Sequence, residues 1–325
     1  MPSNSNIPLL TVGMPVYNAA STLTYALDTL LAQTFKDFQI IISDNASTDE
    51  TREICERYQK KDKRILYIRN EQNMGLLYNF NCFLEIAESP LFMWAAHDDQ
   101  WKPDFMKELV GLLMSDPTAS LAFCAFDYLS DPVVGTGIKG GNLRLRVLGK
   151  CRTPFSRLAL YLLLPETIRK AAMVYAIMRL ELLKSIGGYF SYFNKKKGIQ
   201  EDLMTSDHHT IFLLGLRGGF AISDKTLFLK GIRIPDIGAP AEYPSITISE
   251  MLTSHHVYRV NIAQSGLPTF QRLILHLCAL VNITVGIGAR LAHRVLESIF
   301  ARMHLLFFAR RIRRSIRTSI RGWKS

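Results

Sequence analysis

The stretch Leu91-Phe-Met-Trp-Ala-Ala-His97-Asp98-Asp99-Gln100-Trp101-Lys102-Pro103 decides how this chain is read. An apolar run ends abruptly in two adjacent carboxylates. A buried strand gives this pattern where its carboxyl end emerges at the rim of an open α/β sheet, the usual ligand-binding edge of such sheets. Two acids placed there repel each other unless a cation sits between them and a substrate. Mg²⁺ or Mn²⁺ meets that need, because both take oxygen ligands and share them readily with phosphates.

Working outward, strand and helix alternate with short loops. Leu9–Val16 reads as a buried strand closed by Tyr17-Asn18, followed by a helix with Ser21 as N-cap and Leu23, Ala26, Leu27, Leu30 and Leu31 at helical spacing. Phe38–Ser43 is apolar on both faces, as a parallel strand requires, and ends in Asp44-Asn45. Ser47-Thr-Asp-Glu50 has the form of a capping box opening a helix to about Lys60. Ile65–Arg69 is a third strand, Asn73-Met-Gly75 a turn, Leu76–Ala87 a helix, Pro103–Met114 another helix and Leu121–Phe126 a fifth strand. Residues 130–153 are Gly-rich and irregular. Beyond them come a helix at Phe155–Leu164, a strand at Met173–Met178, a short helix stopped by Gly187-Gly188, a helix at Asp207–Leu216, and strands at Phe220–Ile222 and Thr226–Leu229. The alternation predicts an α/β fold, a mostly parallel, doubly wound sheet flanked by helices, with Asp44 and Asp98 converging at one edge.

The totals fit a large globular body with an appendage: of 325 residues, 48% are hydrophobic and 21% charged. Five cysteines without a CxxC pair argue against a disulfide scaffold or structural zinc and suit a reducing compartment. The N-terminus carries neither a basic nor an apolar leader segment, so no signal peptide is expected. The net charge of +11 belongs entirely to residues 251–325, which hold 12 Lys+Arg and one acid, Glu297; residues 1–250 hold 27 of each sign. The expected division is a body over residues 1–250, with its acceptor side over about 130–250, and a helical, basic region over 251–325. In the tail, Phe308, Ile312, Ile316, Ile320 and Trp323 recur at helical spacing among six arginines. Interfacial binding of residues 303–325 to an anionic membrane is the first reading, packing on the body the second, and nucleic acid is not expected beside a neutral body. Leu273–Leu291 nears the length of a membrane span, but His276, Asn282 and Arg290 interrupt it.

Taken together, these stretches resemble the family 2 glycosyltransferases of GT-A fold. Pro15-Val-Tyr17-Asn18 resembles that family's opening motif, Asp44-Asn45-Ala-Ser47-Thr-Asp49 its signature after strand two, Asn73-Met-Gly75 its N-x-G turn, and His97-Asp98-Asp99 its D-x-D region. The order and spacing cover about residues 8–220. The resemblance implies that Pro15, Tyr17, Asn18, Asn45, Asn73, Gly75 and His97 line a nucleotide-sugar pocket, and that Asp44 accepts a hydrogen bond from the base. It implies that Asp98, with Asp99 in support, holds a divalent metal, Mg or Mn, on the diphosphate. Ala96 stands where the first aspartate of D-x-D belongs.

The family's general base follows the Gly-Gly turn, on a helix whose pattern points to Asp207; Glu201 and Asp202 are its rivals because they carry the Glu-Asp dipeptide. Inverting transfer asks a carboxylate to take the proton of an attacking hydroxyl, and needs no nucleophilic side chain. The implied partners are a nucleotide-sugar donor and a glycan or lipid-linked acceptor. The implied setting is surface-polysaccharide or glycolipid synthesis at the cytoplasmic face of a membrane.

Plainer readings stand beside these. Asp44 also suits a turn or cap, Asp98-Asp99 a solvated turn before Pro103, and Tyr17 simple packing. His208-His209 and His255-His256 read as structural or surface pairs, since adjacent histidines on a helix point roughly 100° apart. Ala96 and Ser206, at positions where the family carries acids, leave room for a catalytically inactive nucleotide-sugar-binding or scaffold protein.

Overall fold

The run Leu10–Val16 forms β1 and is buried along its whole length, which only a strand covered on both faces achieves. The computed structural model describes residues 7–131, 136–138, 148, 151, 153–164, 170–194, 199–201, 205–231 and 247–288. After β1 come α1 (Leu23–Leu31), β2 (Phe38–Asp44), α2 (Thr51–Lys61), β3 (Ile65–Arg69), α3 (Leu76–Asn81), α4 (Phe83–Ile86) and β4 (Leu91–Trp94). Next are β5 (Gln100–Trp101), α5 (Phe105–Ser115), β6 (Ala119–Asp131), β7 (Thr136–Ile138), α6 (Pro154–Leu163) and, after a 3₁₀ turn at Lys170–Tyr175, β8 (Ile177–Arg179). The rest are α7 (Leu180–Ser185), β9 (Tyr192–Asn194), β10 (Ile199–Glu201), α8 (Ser206–Arg217), β11 (Gly219–Lys230), α9 (Ile248–Gln264) and α10 (Thr269–Gly288).

Among the described residues, nine strands form one sheet in the order β3-β2-β1-β4-β8-β6-β11-β5, with β7 on β6. β8 is antiparallel to both β4 and β6. Two reversals restore direction, so β1, β2, β3, β4, β6 and β11 all point the same way and their carboxyl ends share one edge. Asp44, the Asp98 loop and Lys230 therefore lie along that edge, and Tyr175, just before β8, reaches it from the other direction. β5 pairs antiparallel with β11, Phe228 opposite Trp101 and Leu229 opposite Gln100. Continuing that register one step brings Lys230 to Asp99.

The core is continuous across both sheet faces. Phe80 and Trp94 pack against Tyr189, and Phe92 links Trp94 to Phe83; Trp101, Phe105, Phe123 and Phe126 form a second aromatic group around Phe228. α9 closes on the body through Ser254 Oγ, 2.9 Å from His209 Nε2, and through the Tyr258 ring, 4.4 Å from the His209 ring. His209 is thus a buried packing residue, as expected of that pair.

Several local expectations need correction. Leu76–Ala87 is two short helices rather than one, because the Phe80 carbonyl accepts Trp94 Nε1 at 2.8 Å. Met173–Met178 is mostly a 3₁₀ turn, with the strand shifted to Ile177–Arg179. A short apolar run buried on all sides does not distinguish strand from helix by periodicity. The two strands expected after residue 219 are one strand, bulged where its register on β6 shifts between Ser223 and Thr226. Ser21 does not cap α1; Thr22 occupies the cap position, and its hydroxyl meets His97 Nδ1 at 2.8 Å. The Ser47–Glu50 capping box does not form. Ser47 Oγ accepts the Asn18 backbone N–H, and the carboxylate of Asp49 takes Thr51 N–H instead.

Candidate active site

The loops after β1 and β2 are stitched together. Asn18 sits at φ +50 and Ala46 at φ +64, turning the two chains toward each other. Asn18 Oδ1 accepts Thr48 N–H at 2.9 Å, and Asp49 Oδ2 accepts Ala20 N–H at 3.1 Å. Many hydrogen bonds to Asp49 hold its carboxyl below the usual range against the opposing effect of burial. Tyr17, on this platform, is exposed.

Asn45 ties β2 to the loop before α3. Its Nδ2 donates to Asn73 Oδ1 at 2.7 Å, and its Oδ1 accepts Met74 N–H at 2.8 Å. Gly75, at φ +85, closes this turn, with its N–H on Asn73 Oδ1. Asp44 is fully buried: Oδ1 accepts Ser47 N–H at 2.8 Å, Oδ2 accepts the Tyr67 hydroxyl at 2.7 Å, and Arg69 Nε lies 3.6 Å away. Burial, then Asp44 itself, pushes the Tyr67 phenol up, so that it stays protonated and donating. In this structure, therefore, the groups beside Asp44 at the edge are Tyr67 and Arg69.

The carboxylates of the opening stretch divide their work. Asp98 is partly exposed, whereas Asp99 is fully buried. Asp99 Oδ1 accepts Lys230 Nζ at 2.8 Å and Gly231 N–H at 2.7 Å, while Oδ2 is buried with no hydrogen-bond partner. Burial pushes the Asp99 carboxyl up, to about 7, against the pull of Lys230. Lys230 is held cationic: burial opposes its charge, but Asp99, which it also hydrogen-bonds, and Asp98 outweigh it. Its ammonium also lies 4.6 Å over the Tyr175 ring. A side chain at Gly231 would run into the backbone of Asp98, so glycine lets β11 close on this loop.

Asp207 is in the first turn of α8, at the same edge, because α8 runs back to the start of β11. Its Oδ1 accepts the Tyr189 hydroxyl at 2.7 Å. Burial raises its pKa above the ordinary Asp range, and the Tyr189 hydrogen bond, then His208 and then Lys230, oppose the rise. Tyr189 is fixed by Asn81, which accepts its backbone N–H at 2.8 Å and donates to its carbonyl at 3.1 Å. Burial raises the Tyr175 phenol, Lys230 opposes the rise, and Asp99, Asp207 and Asp98 add to it. Of the rival bases, Glu201 ends β10 and Asp202 lies outside the described residues, as does the 303–325 tail.

Lys230, Tyr175, Tyr189 and Tyr67 were not singled out from sequence. Lys230 has the signature that marked Asp98, a charge where an apolar strand ends. Among the described residues, no three His, Cys, Asp or Glu side chains converge to hold a metal. The donor set is the partly exposed Asp98 and the orphaned, buried Asp99 Oδ2. Oxygen donors of this kind fit Mg²⁺ or Mn²⁺ when water and a diphosphate complete the shell. A cleft lined by Pro117, Arg179, Glu181, Arg217 and Gln271 lies at the opposite edge and contains none of these groups.

The mixed sheet, flanked by helices and carrying acidic and amide side chains along one carboxyl edge, has the GT-A fold. The chain belongs to glycosyltransferase family 2: the sequence model described as "Glycosyl transferase family 2" matches residues 11–187. It is 32% identical over 121 residues to the putative teichuronic acid biosynthesis glycosyltransferase TuaG of Bacillus subtilis, covering 37% of this chain and 46% of TuaG. The chain thus matches less than half the length of such relatives. Its fold is similar to that of S. aureus TarS 1-349 in complex with UDP-GlcNAc, with a TM-score of 0.61, 20% identity and coverage of 83% of this chain and 71% of that one. It is similar also to the mannosyltransferase PcManGT of Pyrobaculum calidifontis in complex with GDP-Man and Mn²⁺, with a TM-score of 0.54, 17% identity and coverage of 94% and 83%.

Proposed function

We propose that the chain is a metal-assisted, inverting glycosyltransferase that moves a sugar from a nucleotide-sugar donor to an acceptor hydroxyl. The observation that carries this reading is that the strand topology brings the Asp98-Asp99 loop, Lys230 and the first turn of α8, with Asp207, to one sheet edge, where Lys230 bonds Asp99 and lies over the Tyr175 ring. Asp98 is the carboxylate that would hold Mg²⁺ or Mn²⁺ against the diphosphate, with Pro15, Tyr17, Asn18, Asn45, Asn73, Gly75 and His97 on the donor side. The bound ion would supply charge neutralisation for the departing nucleoside diphosphate.

The remaining chemistry belongs to the chain's own residues. Asp207 takes the proton of the acceptor hydroxyl as its oxygen bonds to the anomeric carbon and the carbon–phosphate oxygen bond breaks. The Tyr189 hydroxyl keeps that carboxylate ionised and aimed. The positive charge of Lys230, bonded to Asp99, also favours the ionised form of Asp207, so one cation serves acids on both sides of the site. The nucleotide sugars bound by TarS and PcManGT, and the Mn²⁺ bound by the latter, support the donor and metal parts. The likeness to TuaG, a putative teichuronic acid biosynthesis glycosyltransferase, supports a cell-surface polysaccharide or glycolipid product. The cationic tail supports a lipid-linked acceptor met at the cytoplasmic face of a membrane.

One specific feature favours a second reading, that of an inactive nucleotide-sugar binder or scaffold. Ala96 removes one acid and Lys230 sequesters another. Incubating the purified chain with a panel of nucleotide sugars, Mn²⁺ or Mg²⁺ and a lipid-linked acceptor separates the two. Release of nucleoside diphosphate supports the transferase; binding without release, across the panel, supports the binder.

A further inference from the structure

We propose that the outward face of α10, Thr269–Gly288, is a lipid-docking surface that seats the protein flat on an anionic bilayer. This deepens the membrane part of the proposed function, but it rests on a different observation from the sugar chemistry. The inner face of the helix belongs to the body. Leu275, Cys278, Ala279 and Ile283 are buried, and Asn282 Nδ2 donates to the Leu164 carbonyl at 3.1 Å. A helix anchored in this way does not leave the body to span a membrane.

The outer face is unlike an ordinary protein surface. Phe270, Leu273, Leu277, Leu280, Val281 and Val285 are exposed, from 40% at Val281 to 73% at Phe270. At 100° per residue they fall within an arc of roughly 140° and run for ~22 Å. No exposed position of the helix carries a charge or an amide. Thr284 is the one hydroxyl within the stripe, and it donates back to the Leu280 and Val281 carbonyls of its own helix. Protein partners are met through hydrogen bonds as well as apolar contact, and this face offers none.

Charge selects the occupant. The sequence beyond Gly288 continues for 37 residues with ten Lys+Arg and one acid. An apolar stripe followed directly by a cationic run matches a surface that is oily within and anionic at its rim.

The test is co-sedimentation of the full chain with phosphatidylcholine vesicles, with and without phosphatidylglycerol. The wild type is expected to bind the anionic vesicles, and the combined variant Leu273→Ser, Leu277→Ser, Leu280→Ser to bind them at least ~10-fold more weakly, since three exposed leucines that would enter the bilayer are lost. Unchanged binding overturns the proposal. So does light scattering in which the wild type is a dimer and the variant a monomer, which would assign the face to a second copy. Leu277→Trp, a single change at an exposed site, gives an independent reading. Brominated acyl chains should quench its added fluorescence, and failure to quench it contradicts lipid docking even if the triple variant does not fold. None of these measurements depends on sugar transfer.

Discussion

Lys230 Nζ donates to Asp99 Oδ1 at 2.8 Å, joining the carboxyl end of β11 to the acidic loop after β4. The contact makes the two neighbouring aspartates unequal: Asp99 is internal and neutralised, and Asp98 is left toward solvent. Lys230→Met should leave Asp99 buried without its cation and destabilise the fold by ~3–5 kcal/mol. The double variant Asp99→Asn, Lys230→Met should recover most of that loss, because no lone charge remains inside. Urea unfolding of the three proteins checks this; equal destabilisation by the single and double variants would mean that the pair is not coupled.

Asp98→Asn tests the division of labour from the other side. Asp98 is partly exposed, so stability should change by no more than ~0.5 kcal/mol. The loss of the metal carboxylate should cost at least ~10²-fold in kcat/KM, since a bound ion contributes several kcal/mol to a charged transition state. Mn²⁺ affinity in the presence of nucleoside diphosphate, read by electron paramagnetic resonance, should fall with it.

The pH dependence follows from Asp207 and Tyr189. A base acts when deprotonated, so kcat/KM should fall on the acid side. Burial raises the Asp207 pKa, so the midpoint of that limb should lie above the ordinary Asp range. Tyr189 donates to the ionised carboxylate and lowers this pKa. Tyr189→Phe should therefore move the acid limb to higher pH and keep the alkaline plateau. The same raised pKa has a stability consequence: this group favours the folded state below its unfolded pKa, and the contribution is lost as pH rises through the folded value.

Gly188→Ala probes the support of the same base. Gly188 has φ +86, and a Cβ there would meet Leu84 and Asn81, the residue that clamps Tyr189. The backbone strain alone is worth ~1–3 kcal/mol. Thermal unfolding should register it, and turnover should fall more than stability at assay temperature accounts for, because Tyr189 is displaced.

Much of this architecture was legible in the sequence, and the reasons are local. Apolar runs such as Phe38–Ile42 and Leu91–Trp94, buried on both faces, name their own strands, and a polar residue at each strand end names the working edge. Asn45, Asn73 and Gly75, read together from their motifs, are joined by hydrogen bonds, because a turn tethered to a strand end constrains both. What escaped depends on pairing across long sequence separation. Lys230 lies 131 residues from Asp99, and only the short antiparallel strand Gln100–Trp101 brings them together. Two residues carry no periodicity from which to read a strand. The motif marks Asp44 as a candidate but does not show its buried bonds to Tyr67 and Ser47, since a motif states residue type and not which partner a carboxylate turns toward.

The most direct test of the central claim, that one sheet edge joins a donor site at Asp98 to a base at Asp207, is Asp207→Asn compared with wild type in donor binding and turnover together. Donor affinity with Mn²⁺ should be retained while kcat drops by ~10²–10⁴-fold, the contribution of a positioned general base. Turnover by Asp207→Asn at the wild-type rate would contradict it and move the base to Asp202 or Glu201.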